Sequence, residues 1–205
     1  LRNWPAVATQ NRGQGKVIPV GGRVRVRWID MDGVDSPGGD LKDRGFARGA
    51  LRFARGEGIS LGRRNGRSEL YVCCTMGGPQ QIGQVWRYRP SRREGMAGEA
   101  NEPGILELFV ETEDQSRLKN CDNVTVTPWG GLILCEDGPE DQPQYLRGVT
   151  PQGQIYDVAA NGYSEFAGAT FSPDGSTLFV NAQTPGITFA ITGPWRRISG
   201  RPARG

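Results

Sequence analysis

The chain has 205 residues, a formal net charge of +3 and 36% hydrophobic residues, values typical of a soluble globular protein. Its 31 glycines and 14 prolines are too many for a helical protein and follow no collagen period, so they indicate turns between many short strands. Histidine is absent, which removes the commonest metal ligand and the usual general base of serine and cysteine hydrolases.

Two classes of partner are not indicated by the sequence. The arginine clusters are interrupted by acidic residues and form no continuous basic face, so no nucleic acid is expected. No segment approaches the roughly 18 apolar residues of a membrane helix, and none resembles a signal peptide. The chain begins at Leu1 rather than at methionine, and we expect it to be part of a longer polypeptide.

The first part of the chain is the least regular. Alternation over Arg23 to Ile29 predicts a strand, and the pattern over Phe46 to Arg55 predicts a short helix. Several aspartates lie between them, but no closing glutamate follows at the spacing of an EF-hand. A solvated loop is therefore expected there. The aspartates are Asp30, Asp32, Asp35 and Asp40.

Three rounds of short strand-forming runs follow, separated by Gly, Asn and Pro turns. The first round is Glu57 to Gly62, Glu69 to Thr75, Gln84 to Pro90 and Ile105 to Glu111. The second is Asp122 to Trp129, Leu132 to Asp137, Tyr145 to Thr150 and Ile155 to Val158. The third is Phe166 to Ser172, Thr177 to Gln183 and Ile187 to Thr192.

These rounds predict an all-β protein, a β-propeller with about three to four blades present. The distance from Asp122 to Glu165 fits a blade of about 40 to 50 residues, and the stretch Ser91 to Gly104 accounts for a longer first round. Fewer than about four blades cannot close a ring, so either a missing N-terminal segment or another subunit completes it, or the chain is an open fragment. The predicted divisions are residues 1–56 (partial blade and linker), 57–121, 122–164 and 165–195 (blades) and 196–205 (basic tail).

Acidic residues open the three rounds, at Glu57, Asp122 and Glu165. The innermost strands of a propeller border one channel, so these acids, with Asn123, would converge and form an oxygen-ligand set for Ca²⁺ or another hard cation. The alternative is that each acid only caps backbone N–H groups in a turn. Their recurrence at matching positions favours the metal channel.

Two residues of the second round are further candidates. Strand alternation places Glu136 and Cys135 on opposite faces, which favours Glu136 as a metal ligand and leaves the thiol in the core. Arg147 is a candidate for contacting a phosphate, because guanidinium donors match phosphate oxygens; a surface arginine on a strand is the alternative. The four cysteines are expected to be buried, with a disulfide between Cys121 and Cys135 left open.

The stretch Cys121 to Gly138 (CDNVTVTPWGGLILCEDG) resembles the "PDNxTVSPxGxLxxCEDG" motif of PhoX-type alkaline phosphatases. Phe53 to Gly58 resembles the family's "FxRxEG" motif, and Tyr145 to Pro151 and Ser164 to Gly175 are also similar in order and spacing. The resemblance covers roughly Arg27 to Trp195 and corresponds to the C-terminal part of the propeller.

This resemblance implies an exported hydrolase of phosphoric esters with Ca²⁺ and Fe³⁺ in the propeller channel. Glu57 and Glu136 match acids of the family's metal-site motifs, and Asp122, Asn123 and Glu165 match motif positions. The family's N-terminal "TPWGxWLxCEE" motif is absent from this chain. A noncatalytic propeller module in a larger assembly is therefore the alternative, and a lactonase-like calcium propeller is a third possibility that lacks these residue strings.

Overall fold

The computed structural model describes residues 18–35, 38–139, 141–162 and 164–195. The described chain is mostly β, with one short helix, α1 (Leu41–Ala47), and one 3-10 turn (Glu99–Asn101). The predicted basic tail, residues 196–205, lies outside the described residues. The strands are β1 (Arg23–Val26), β2 (Gly56–Arg64), β3 (Arg67–Cys74), β4 (Gln84–Arg89), β5 (Gly104–Glu111), β6 (Cys121–Val126), β7 (Leu132–Glu136), β8 (Gln144–Val149), β9 (Ile155–Asn161), β10 (Phe166–Phe171), β11 (Thr177–Ala182) and β12 (Ile187–Thr192).

The strands form three antiparallel sheets. The first sheet has the order β1-β5-β4-β3-β2, the middle sheet β6-β7-β8-β9 and the last sheet β10-β11-β12. Every strand predicted from Glu57 onward is present, because alternating apolar residues between turn signals are a strong strand pattern. The described sheets do not close into a ring, so the propeller remains a prediction at this point.

The helix is not where the sequence predicted it. The predicted helix from Phe46 to Arg55 is wrong, since α1 ends at Ala47 and overlaps only the start of that range. Gly49 has φ = +93°, the left-handed conformation that commonly ends a helix, and therefore stops further helical growth. The predicted strand from Arg23 is also shorter than expected and ends at Val26.

The middle sheet is buried on both faces, which is why its second strand is almost entirely apolar. Leu132 and Leu134 of β7 point into the core shared with the first sheet. Ile133 and Cys135, which alternate with them, point into the core shared with the last sheet. The second core is extended by an aromatic cluster in which Trp129 stacks on Trp195 at 5.9 Å between ring centroids.

Each core of the molecule contains at least one cysteine thiol. Cys73 and Cys121 lie between the first and middle sheets, Cys74 lies on the opposite face of the first sheet, and Cys135 lies between the middle and last sheets. All four are free and fully buried. The disulfide between Cys121 and Cys135 that the sequence left open is not formed, because these thiols belong to different cores.

Candidate functional site

The first strands of the three sheets lie beside one another: β2 contacts β6, and β6 contacts β10. Each of these strands carries an irregularity in its pairing with the next strand. The pairing shifts between Gly56 and Ile59 in β2, between Cys121 and Val124 in β6, and between Ala167 and Thr170 in β10. Bulges of this kind redirect side chains and are common next to active sites.

The three bulges contact one another in series. A side chain on Gly58 would overlap the middle sheet, since a Cβ there would lie 2.4 Å from the Asp122 carbonyl oxygen. On the other side, the Asn123 Oδ1 accepts a 2.8 Å hydrogen bond from the Gly168 backbone N–H. The bulges therefore form the continuous contact by which the three sheets meet at the start of their first strands.

Three carboxylates lie around this contact, and we call Glu57, Asp122 and Asp137 the acidic rim. Asp122 is half-buried, and its pKa is raised by burial and then by the negative charges of Glu57 and Asp137. Arg55 offsets this effect only in part. The rim therefore has excess negative charge and would be stabilised by a cation.

The loop before β6 holds the acidic rim in place through Asn120. The Asn120 Nδ2 donates hydrogen bonds to the carbonyl oxygens of Thr75, at 3.0 Å, and Gln81, at 3.2 Å. The backbone carbonyl oxygen of Asn120 accepts a 2.9 Å hydrogen bond from the Asp137 backbone N–H. Asn120 has φ = +49°, a conformation that Asn tolerates better than most residues. This residue therefore ties the first sheet to Asp137 of the rim.

Arg55 is paired with the acidic rim and also reaches solvent. It lies directly before β2, and its Nη2 is 3.2 Å from the Glu57 Oε1. The Arg55 side chain is 53% exposed, so its remaining guanidinium donors are available to an anion approaching the rim. Neither Arg55 nor Asp137 is among the residues predicted from the sequence, although Arg55 lies within Phe53 to Gly58 and Asp137 within Cys121 to Gly138.

Glu136 and Arg147, both proposed as functional residues from the sequence, form a buried pair instead. The Arg147 Nε lies 2.7 Å from the Glu136 Oε1, and the two side chains are 3% and 0% exposed. Glu136 also accepts hydrogen bonds from the backbone N–H groups of Lys119 and Tyr145, at 2.9 and 3.2 Å. Arg147 makes a second ion pair with Asp157. This placement favours a structural role for both residues.

The remaining predicted ligand, Glu165, lies at the start of β10. Glu165 is half-buried directly before that strand, and its charge, like that of Asp122, acts on the Cys135 thiol. Burial is the main reason that the pKa of Cys135 is raised to about 12. Asn181 is engaged within the last sheet, where its Oδ1 accepts a hydrogen bond from the Thr188 hydroxyl at 2.7 Å.

The donor set fits a hard cation in part. Carboxylate and amide oxygens from Glu57, Asp122 and Asn123 are the type of ligand that Ca²⁺ prefers. Within the described ranges, no group of three or more Cys, Asp or Glu side chains is arranged to hold a metal ion. All four thiols are fully buried in the apolar cores, and burial raises the pKa of Cys74 and Cys135 to about 12. The chain can therefore supply part of a metal shell from oxygen donors.

The fold and the site together define a class: a mostly β protein whose antiparallel sheets meet at bulged first strands surrounded by carboxylates. The model of the family "Alkaline phosphatase PhoX" matches residues 6–186, and the chain belongs to this family. The predicted family resemblance is thereby confirmed.

Comparison with solved structures agrees on the fold. A Pseudomonas fluorescens PhoX structure, determined in complex with vanadate, a transition state analogue, matches with a TM-score of 0.58 and 21% sequence identity. The match covers 80% of this chain and 37% of the Pseudomonas chain, so this chain spans little more than a third of that protein. No curated protein matches the chain. In the described part of the chain, no helix has the length and apolar character needed to cross a membrane.

Proposed function

We propose that this chain contributes part of the active site of a metal-dependent phosphoric ester hydrolase of the PhoX type. The observation that carries the proposal is the contact of three bulged first strands, which places Glu57 and Asp122 together with the exposed Arg55. Family membership supports the phosphatase class. The predicted substrate is a phosphate ester.

The proposed architecture is the β-propeller that the sequence indicated. Residues 57–121, 122–164 and 165–195 would be consecutive blades, with the bulges bordering the channel, and residues 1–56 a partial blade that adds β1 to the first sheet. Apolar side chains that are exposed on the two outer sheets support a larger ring. Ile59 and Leu61 of the first sheet are 62% and 65% exposed, and Phe179 and Phe189 of the last sheet are each 39% exposed. A further segment or a partner subunit would cover them.

The chain's own residues would act in the following way. Glu57, Asp122 and Asn123 would hold Ca²⁺ through oxygen donors, with Glu165 nearby, and Fe³⁺ would need ligands from beyond the described residues. A bound cation would supply Lewis-acid polarisation of a phosphoryl oxygen. Arg55 would bind a phosphate oxygen and stabilise the negative charge that develops on it. Asn120 would position Asp137 of the acidic rim.

Arg55 replaces Arg147 in this proposal as the phosphate contact. The guanidinium of Arg147 is almost inaccessible and is engaged by two carboxylates, Glu136 and Asp157. Arg55 has one ion pair and is more than half exposed. A substrate could therefore reach Arg55 without the rupture of a buried ion pair.

The proposal is tested by the rate of p-nitrophenyl phosphate hydrolysis by the full-length protein. Arg55→Ala should lower kcat by about 10²- to 10³-fold, the loss expected when one charge-stabilising donor is removed. Arg63→Ala is the matched control, since Arg63 is an exposed arginine of β2 away from the rim, and it should leave kcat unchanged. Equal rates for Arg55→Ala and the unsubstituted protein would contradict the proposal.

A noncatalytic propeller module is the second candidate. It rests on the donor set of the described residues, in which no group of three or more Cys, Asp or Glu side chains is arranged to hold a metal ion. The calcium and iron content of the full-length protein separates the two. A protein that binds neither metal and hydrolyses no phosphate ester would be a module that keeps the sheets without the chemistry.

Export from the cytoplasm is also proposed, because the family resemblance implies it. Fractionation of the producing cells would test it: the protein should appear in the periplasm or the medium rather than with a cytoplasmic marker.

A further inference from the structure

A groove lined by arginines lies on the first sheet, away from the acidic rim. Its volume is about 320 Å³, at the lower end of the range for small-molecule sites. Four arginines from separate strands and loops line it together with one carboxylate, and we call it the arginine groove. Its principal lining residues are Arg23, Arg67, Arg89, Ser91, Arg92 and Glu102.

The arginine groove and the acidic rim lie at opposite ends of the first sheet. The β2–β3 pairing places Gly56, beside the rim, opposite Cys74, and Arg64 opposite Arg67. A strand rises about 3.4 Å per residue, so the length of β3 separates the two ends by roughly 24 Å. A ligand in the groove would therefore not touch the residues proposed to hold the substrate.

Glu107 fixes the wall of the groove. Its side chain is 6% exposed, and its carboxylate lies 2.7 Å from donors of three arginines, Arg23, Arg87 and Arg89. One carboxylate cannot neutralise three guanidinium groups. Arg87 also lies 3.9 Å from a second carboxylate, that of Glu69. Three guanidinium groups therefore face only two carboxylates.

Several arginine donors in the groove are not engaged. Within the described residues, the Arg89 Nε is buried and has no hydrogen-bond partner, which is costly for a charged group. The Arg67 side chain makes no ion pair or hydrogen bond in the same part of the chain. Arg92 reaches Glu102 only at 3.8 Å, with both side chains at least half exposed, so that pair contributes little. The groove thus combines two guanidinium groups held by Glu107, those of Arg23 and Arg89, with spare donors on Arg67 and Arg92.

We propose that the arginine groove binds a phosphate group. A carboxylate offers two oxygens and a single charge, whereas a phosphate offers three acceptor oxygens and up to two charges, which suits guanidinium groups converging from several elements. Planar guanidinium groups form paired hydrogen bonds with phosphate oxygens. The phosphate could belong to a small soluble molecule or to a lipid headgroup, and the test separates these sources.

Isothermal titration calorimetry of the full-length protein with pyrophosphate is the first test. The double variant R67A/R92A should lower the affinity by at least about ten-fold, the effect of losing charge-assisted hydrogen bonds. It should remain folded, because both side chains are exposed and neither holds Glu107. Arg63→Ala is the matched control and should bind as the unsubstituted protein does. Pyrophosphate binding unchanged in R67A/R92A would overturn the proposal.

Two further arms identify the site and the source. The variant E57Q/D122N removes charge from the acidic rim and should bind pyrophosphate with the same heat as the unsubstituted protein. Loss of that heat in E57Q/D122N would overturn the assignment of pyrophosphate binding to the groove. Cosedimentation with phosphatidic acid vesicles, compared with phosphatidylcholine vesicles, reports a lipid source if binding depends on Arg67 and Arg92. Pyrophosphate binding without vesicle binding reports a soluble one. Equal competition by polyglutamate would overturn the choice of phosphate.

Discussion

The buried pair of Glu136 and Arg147 and the acidic rim illustrate two uses of charge in one protein. In the buried pair, each carboxylate oxygen has a donor and the guanidinium has two carboxylate partners. In the rim, the carboxylates of Glu57 and Asp122 lie near one another with only partial compensation from Arg55. Satisfied charges hold sheets together, and unsatisfied charges at an accessible edge are available to a ligand.

The largest expected effect comes from breaking the buried pair. Arg147→Ala leaves the Glu136 carboxylate buried without its cation, and loss of one partner of a buried ion pair costs about 3 to 5 kcal/mol. Denaturant unfolding would measure the change, with Arg63→Ala as the control. The double variant R147M/E136L should recover most of the loss, because apolar replacements remove the unpaired charge. An Arg147→Ala protein of normal stability without activity would instead support the phosphate contact predicted from the sequence.

Calcium should stabilise the protein through the acidic rim and not through the buried pair. If the rim contributes to a calcium site, free Ca²⁺ at 100 times its Kd stabilises the full-length protein by about 2.7 kcal/mol. Thermal unfolding with and without Ca²⁺ would show this as a rise in Tm. Glu57→Gln should reduce that rise, and Glu136→Gln should keep it although its baseline Tm is lower. A rise that disappears only in Glu136→Gln would reverse the roles assigned to the two glutamates.

Gly58→Ala tests whether the rim depends on the contact between bulges. The new methyl group would lie 2.4 Å from the Asp122 carbonyl oxygen, so one of the two bulges must move. Overpacking of this kind costs about 1 to 3 kcal/mol. Denaturant unfolding should show the loss together with weaker Ca²⁺ binding. Gly66→Ala is a useful comparison, because no atom lies within 4 Å of a Cβ there, although its positive φ adds strain of its own. It should leave Ca²⁺ affinity unchanged.

The smallest expected effect is a pH dependence of metal-free stability. Since the folded-state pKa of Asp122 is raised, mainly by burial, the folded protein binds this proton more readily than the unfolded protein does. Stability therefore falls as the pH rises from the unfolded pKa through the raised folded value. Asp122→Asn should raise the Tm at neutral pH in the presence of a chelator, and the gain should vanish at a pH below the unfolded pKa. A gain that persists unchanged in acid would exclude ionisation as its cause.

The strands were predictable from the sequence, whereas the roles of the charged residues were only partly so. Alternation and turn residues suffice to predict β7 and β8, yet not that Glu136 and Arg147 would meet. Leu134 pairs with Arg147 in the hairpin, so Glu136 lies diagonally across from the arginine, and that depends on the register of the loop. Once the hairpin register is known, the buried pair could be anticipated.

The acidic rim shows the opposite limit. Repetition of acids at Glu57 and Asp122 identified its location, but the bulges break the two-residue alternation on which face assignments rest. Because of these bulges, the positions of Asp137 and Arg55 at the rim do not follow from strand alternation. Long-range contacts, such as that between Gly58 and the Asp122 carbonyl, depend on how whole sheets pack.

The distribution of the cysteines allows thiol reactivity to report the local unfolding of each core. Each of the three described cores contains a fully buried thiol, and an alkylating reagent can reach that thiol only after the core has opened. Pulsed alkylation followed by peptide mass analysis would thus measure the rates at which Cys74, Cys121 and Cys135 each become exposed. The order of these events would reveal whether the sheets come apart together or peel away from one end, without the introduction of any label.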